Sequence, residues 1–343
     1  MKARERGIQI GRINPGRKNC ITDVKGVKVG HVTLDYPLDS ISQDYACTGV
    51  TAILPHEGNL FQKKVTAAGF VINGFGKTTG LIQVNELGLL ESPIMLTNTF
   101  GVPAVTQGTL QYMLENNPDI GEATGTINIV AGECNDSYLN SIRLFPVKPE
   151  HAIEAILKAS SETAIEGAVG AGKGMVCFGF KGGIGSSSRI ITDGYTIGCL
   201  VLSNFGKKEE FQWFRYSLDK QNSGGLSGTS DGSIILVIAT DAPLSDRQLL
   251  RVAKRTGAGL GRTGSHFSHG SGDIAIAFST AHKVLHYSNS STEARNQIRE
   301  DHPVMNEIFA AAAEAVEEAV LNSLSQAVTT SGRNGRIVSA FPF

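Results

Sequence analysis

Short apolar runs closed off by glycine, proline or asparagine recur along the chain and alternate with stretches of helical period. The runs are TGVTAILP (48–55), AAGFVING (67–74), SPIMLTN (92–98), TINIVAG (126–132), YTIGCLVLSN (195–204) and SIILVIAT (233–240). Each is too short for a helix and rich in β-branched residues, so each predicts a strand buried on at least one face. DIAIAFST (273–280) alternates, with Ile274, Ile276 and Phe278 on one side. Between the runs, a helix is expected from near Pro103 to Glu115, and a second after Lys148 with Pro149 in its first turn. Ser245 and Gln248 form a capping box ahead of Leu249, Leu250, Val252 and Ala253. Pro303 opens an alanine-rich helix reaching about Gln326, and residues 20–34 read as a hairpin around Gly26. No fixed-period repeat or linker interrupts the alternation. It predicts one α/β domain over residues 1–343.

Composition removes several classes. Glycine is 40 of 343 residues, well above the roughly 7% usual in globular chains, but without a three-residue period. That means many tight turns in a folded protein, not a collagen. The 31 basic and 32 acidic side chains leave a net charge of −1, so neither a nucleic-acid scaffold nor an acidic tail dominates. Cys20, Cys47, Cys134, Cys177 and Cys199 are widely spaced and form no C-x-x-C. They predict buried thiols in a reducing compartment, with no disulfide framework and no thiolate metal site. The basic N-terminal stretch has no apolar segment behind it, and the longest apolar runs are far below the ~20 residues of a membrane helix. A cytoplasmic protein is expected, with no membrane and no nucleic-acid partner.

Three motifs carry chemistry elsewhere and fit poorly here. GAVGAGKG (167–174) lacks the final hydroxyl of a phosphate loop and follows a helical pattern where a strand is required, so a glycine-rich turn is the better reading. GTSDG (228–232) matches a nucleophile elbow at Ser230, but the strand comes after the serine instead of before it. His266 with His269, and His282 with His286, have metal-compatible spacing without the carboxylate of an H-E-x-x-H arrangement.

The junction Gly232–Ser233 is different. A polar loop ends in Asp231-Gly232, and a serine then stands at the first position of a buried strand. Pattern alone favours a two-residue Asp-Gly hairpin turn. The chemical alternative is self-cleavage, in which the hydroxyl attacks the preceding carbonyl. Cleavage would give Ser233 a free α-amine with a pKa near ~7.7–8.0, against ~10.4 for lysine. Such an amine serves as a general base near neutral pH without a histidine.

DGSIILVIATDAPL, RTGSHFSHGSGDIAIAFST, VAGECNDSYLN and LVLSNFG together resemble the DmpA family of N-terminal-nucleophile peptidases, the L-aminopeptidase D-Ala-esterase/amidases and β-peptidyl aminopeptidases. The resemblance runs from ITDVKGVKVGHVTL to the C-terminal helix, and it favours self-cleavage over the hairpin turn. It implies a four-layer αββα sandwich, similar to N-terminal-nucleophile hydrolases but with the connectivity of ornithine acetyltransferase. It implies an α chain of residues 1–232, a β chain of residues 233–343, and a homotetramer of such αβ units. Ser233 would be the nucleophile and Asn204 the oxyanion donor. Ser271 and Asp273 match the hydroxyl and acidic residue placed around the nucleophile; some members carry glutamate in place of this aspartate. Glu133 would receive the ammonium of a small peptide or amino-acid amide or ester. Tyr138 either supports the oxyanion side or is simply packed. No metal or organic cofactor is implied. Two alternatives remain beside this aminopeptidase: an acyltransferase, which normally starts its β chain with threonine, and a processing-inactive binding protein on the same scaffold.

Overall fold

A computed structural model of the chain describes residues 1–41, 43–216 and 232–343. Its strands are β1 (Lys28–Pro37), β2 (Tyr45–Leu54), β3 (Lys63–Gly74), β4 (Leu89–Leu90), β5 (Ile94–Asn98), β6 (Val130–Cys134), β7 (Val176–Cys177), β8 (Phe180–Lys181), β9 (Gly183–Ile190), β10 (Thr196–Asn204), β11 (Ser233–Thr240), β12 (Gly272–Leu285), β13 (Thr330–Ser331) and β14 (Ile337–Val338). Its helices are α1 (Leu81–Leu87), α2 (Val102–Asn116), α3 (Pro149–Leu157), α4 (Asp246–Thr263) and α5 (Val304–Ser325).

Two sheets face each other. One has the order β1-β2-β5-β6 and the other β4-β3-β12-β11-β10-β9. Most neighbours are antiparallel, but β5–β6 and β11–β12 are parallel. Helices supply these two crossovers: α2 between β5 and β6, and α4 between β11 and β12.

Why β11 is apolar from Ile234 to Ala239 follows from its place in the stack. Ile235, Val237 and Ala239 join the core between the sheets. Ile234, Leu236 and Ile238 pack instead on Leu249 and Val252 of α4 and Ile308 and Val316 of α5. Full burial of one such side chain is worth roughly 1.5–3 kcal/mol, so both faces of the strand stabilise the fold. On the far side, Val102 and Val105 of α2 and Ala152 and Ile156 of α3 pack on Val32, Val50 and Met95. The layers are therefore helix, sheet, sheet, helix, the αββα stack expected.

The capping box at Ser245 and Gln248 is present, and α5 spans nearly the predicted residues. Residues 20–34 do not form a hairpin. Asp23 accepts from the backbone N–H groups of Lys18 and Cys20 and closes a short 3-10 turn at Ile21–Asp23. Extended structure starts only at Lys28, and β1 pairs with β2 across the turn after Pro37. The glycine-rich stretch after Gly167 is a buried turn that leads into β9, a strand its composition conceals.

Candidate active site

The strand ends bring the predicted residues together. Asn204 is the last residue of β10 and Ser233 the first of β11, and the antiparallel register sets them opposite each other. β12 runs parallel to β11 and places Asp273 beside Ile234. In the facing sheet, β5 and β6 end together, with Thr97 opposite Glu133. By alternation along their strands, Ser233 and Asn204 lie on the face turned towards that second sheet.

Ser233 is buried, and its Oγ accepts a hydrogen bond from the Gly272 N–H at 3.1 Å. A hydroxyl held this way keeps its own proton available to a base. Gly232 lies against the end of β10. A Cβ there would stand 2.1 Å from the Asn204 carbonyl oxygen and 2.5 Å from the Phe205 Cα. Only glycine lets the peptide before Ser233 approach so closely.

The Asn204 amide is fixed at both ends. Its Oδ1 accepts from the Val176 N–H at 2.8 Å, and its Nδ2 donates to the Asn135 carbonyl at 3.0 Å. One Nδ2–H remains for an incoming oxygen.

Ser271 Oγ donates to Asp273 Oδ1 at 2.7 Å, while Asp273 Oδ2 is buried without a hydrogen-bond partner. Burial raises the Asp273 carboxyl to about 6, opposed by the Ser271 hydrogen bond. Glu133 is 3% exposed. Its Oε1 accepts from the Lys77 N–H at 2.8 Å and its Oε2 from the Thr99 hydroxyl. Both donors are neutral, so neither of them is a cationic partner for this carboxyl group.

Tyr138 is not brought into contact with this group. Its ring lies under the Arg336 guanidinium, 4.8 Å from carbon to centroid. Of the paired histidines, His286 bridges Lys64 and Thr124, His282 contacts the Asn296 carbonyl, and the His269 ring lies 6.3 Å from that of Phe75. Of GTSDG, only Gly232 lies within the described residues. Among those residues, no helix is long and apolar enough to cross a membrane.

Several participants left no trace in the sequence. The Gly272, Lys77 and Val176 contributions are backbone N–H groups, which any residue type supplies. Asp136 is fully buried beside Asn140, with one oxygen unpartnered, and burial pushes its carboxyl up to about 7. Beside the local Asn140, it meets Thr48 and Gly174 from distant segments.

The profile of peptidase family S58 matches residues 19–338. The chain belongs to this family. The β-peptidyl aminopeptidase BapA of Sphingosinicella microcystinivorans is 38% identical over 365 aligned positions, covering 99% of this chain and 89% of that protein. A crystal structure of a Pyrococcus horikoshii OT3 protein has a TM-score of 0.90 at 50% identity and covers 100% of this chain and 96% of its own. The L-aminopeptidase D-Ala-esterase/amidase of Ochrobactrum anthropi has a TM-score of 0.89 at 32% identity, covering 99% of this chain and 95% of its own. That protein is described as a prototype serine aminopeptidase with a variant N-terminal-nucleophile hydrolase fold. This S58 chain is accordingly a serine aminopeptidase of the same fold, and the acyltransferase alternative is not favoured.

Proposed function

We propose that the chain cuts itself between Gly232 and Ser233 and then removes N-terminal residues from short peptides, amino-acid amides or esters. The supporting observation is the meeting of Ser233, Asn204 and Asp273 at three adjacent strand ends, with Gly232 pressed on the end of β10. In self-cleavage, the Ser233 Oγ attacks the Gly232 carbonyl carbon. The C–N bond breaks, an ester forms, and the departing nitrogen takes up the hydroxyl proton. Water then hydrolyses the ester and leaves Gly232 as a carboxylate and Ser233 with a free amine.

In the second stage, that amine takes the Ser233 hydroxyl proton while Oγ attacks the substrate carbonyl. The free Asn204 N–H steadies the oxyanion, an effect on the order of 10²–10³ in rate per donor. Asp273, held by Ser271 at the neighbouring strand end, is assigned to offset the charge that builds on the Ser233 amine. Glu133 receives the substrate ammonium, which favours an unblocked amino terminus. The protonated Ser233 amine gives that proton to the substrate's amine or alcohol as it leaves, and the same amine then takes a proton from the water that releases the amino acid from Ser233.

Residues 1–343 would remain one domain after processing, because β10–β11 and β3–β12 pair across the two fragments. Assembly into a homotetramer is the reading that the family resemblance supports. Five free, buried cysteines support a reducing, cytoplasmic setting. Denaturing mass spectrometry tests the core of the proposal. The wild-type chain should split before Ser233, and Ser233→Ala should stay whole. A whole and fully active wild-type chain would end it.

A further inference from the structure

Lys181 is wholly buried, and the chemistry above makes no use of it. Its Nζ donates to three backbone carbonyls: Gly172 at 2.9 Å, Met175 at 2.7 Å and Gly182 at 2.9 Å. Burial pushes the Lys181 amine down to about 7, and the three carbonyl acceptors oppose that by matching the three N–H bonds of an ammonium, where a neutral amine has only two.

Lys181 also stands directly opposite Val176 in the β7–β8 hairpin. Phe178 (φ 50°) and Gly179 (φ 74°) make its two-residue turn, both with the positive φ of a type I′ hairpin. The hairpin is tied down elsewhere by Phe178 N–H on the Phe205 carbonyl and by Lys181 N–H on the Ser339 carbonyl.

The Met175–Val176 peptide unit is the link to the active site. Its carbonyl accepts from Lys181 Nζ, and its N–H donates to Asn204 Oδ1 at 2.8 Å. A continuous chain of hydrogen bonds thus runs from a buried cation through one peptide group into the Asn204 amide. Each link polarises the next, and the last bond of the chain is an Nδ2–H. A cation at the far end draws electron density along the chain and makes that N–H a stronger donor. It also fixes the peptide plane that sets the amide's orientation.

We infer that Lys181 is a positioning residue for both self-cleavage and peptide hydrolysis, acting on the Asn204 oxyanion donor through the Met175–Val176 peptide. This rests on the reading of Asn204 given above. No contact places Lys181 on the substrate, and its effect is expected in the transition state and not in binding.

A double-mutant cycle with Lys181→Met and Asn204→Ala tests it. The rate of splitting before Ser233 is followed by intact mass, and kcat and KM are measured on processed enzyme with an amino-acid p-nitroanilide. Lys181→Met should slow splitting and lower kcat roughly tenfold or more, with KM nearly unchanged. In the Asn204→Ala background, Lys181→Met should slow splitting no further. Slowing factors that multiply would overturn the inference, as would a KM that rises as much as kcat falls. So would a lower melting temperature with kcat kept. If Lys181→Met fails to fold, Lys181→Gln, which keeps a donor on a shorter arm, runs through the same cycle with the same outcomes. A wild-type chain that never splits overturns the self-cleavage reading separately, and the kcat and KM effects of Lys181→Met then decide the inference.

Discussion

Two buried charge clusters in this molecule are built to opposite rules. Against β9 and α5, the fully buried Arg189 meets Glu314 through Nε at 3.1 Å and Glu318 through Nη2 at 2.7 Å. Arg4 and Asn19 add donors to Glu318, and the Arg12 and Ile13 N–H groups add donors to Glu314. All four carboxylate oxygens there are satisfied. At the strand ends around Ser233, burial is as deep, yet Asp273 and Asp136 each keep an oxygen with no partner. The first cluster binds segments together. The second leaves acceptors unfilled, at a cost in stability, beside the residues proposed to carry the chemistry. The two clusters differ in the partners filled and not in depth of burial.

The contrast can be broken from either side. Ser233→Ala should abolish splitting and reduce turnover by a factor on the order of 10⁴ or more, with folding unaffected, as judged by intact mass and steady-state rates. Arg189→Met should do the reverse. It leaves Glu314 and Glu318 under-compensated and should cost about 3–5 kcal/mol in denaturant unfolding, while kcat of the molecules that still fold is kept. Glu133→Gln should raise KM for free-amine substrates by roughly ten- to a hundredfold and affect N-acylated ones far less. A uniform loss on both substrates would contradict the ammonium role.

The smallest effect concerns pH. Burial raises Asp273 from its ordinary 3.8 to about 6. The group therefore favours the folded state most below pH 4, and that contribution is lost as pH climbs through 6. Asp273→Asn should stabilise the fold by about 1 kcal/mol at pH 7–8 and hardly at pH 4, while activity falls. Thermal unfolding across that range reads the sign directly. Equal stabilisation at both ends would mean the carboxylate is not strained by its burial.

Much of this was legible in the sequence because it lies in local pattern. The run SIILVIAT predicted a buried strand, and the strand starts at Ser233 as expected, with both faces covered. Ser245 with Gln248 announced α4 through a local capping interaction. What escaped depends on contacts between distant segments. The hairpin assigned to residues 20–34 failed because Asp23 binds backbone N–H groups locally, while the strand partner comes from residues 45–54. β9 hides among glycines and serines, which fit it to the closely packed α5 but give no apolar period. Asn204 and Ser233 could be named from their motifs; their facing register could not, since it depends on how β10 and β11 pair.

One feature of β11 has a practical outcome. Its ladder to β10 starts at Ser233 itself, so a break just ahead of that residue removes no rung. Trp213, twenty residues upstream, is meanwhile wedged edge-on against Phe341 and Phe343. A nicked molecule should migrate as one particle on a sizing column and come apart only in denaturant. The two pieces would be made by chemistry but kept as a pair by zipper and wedge.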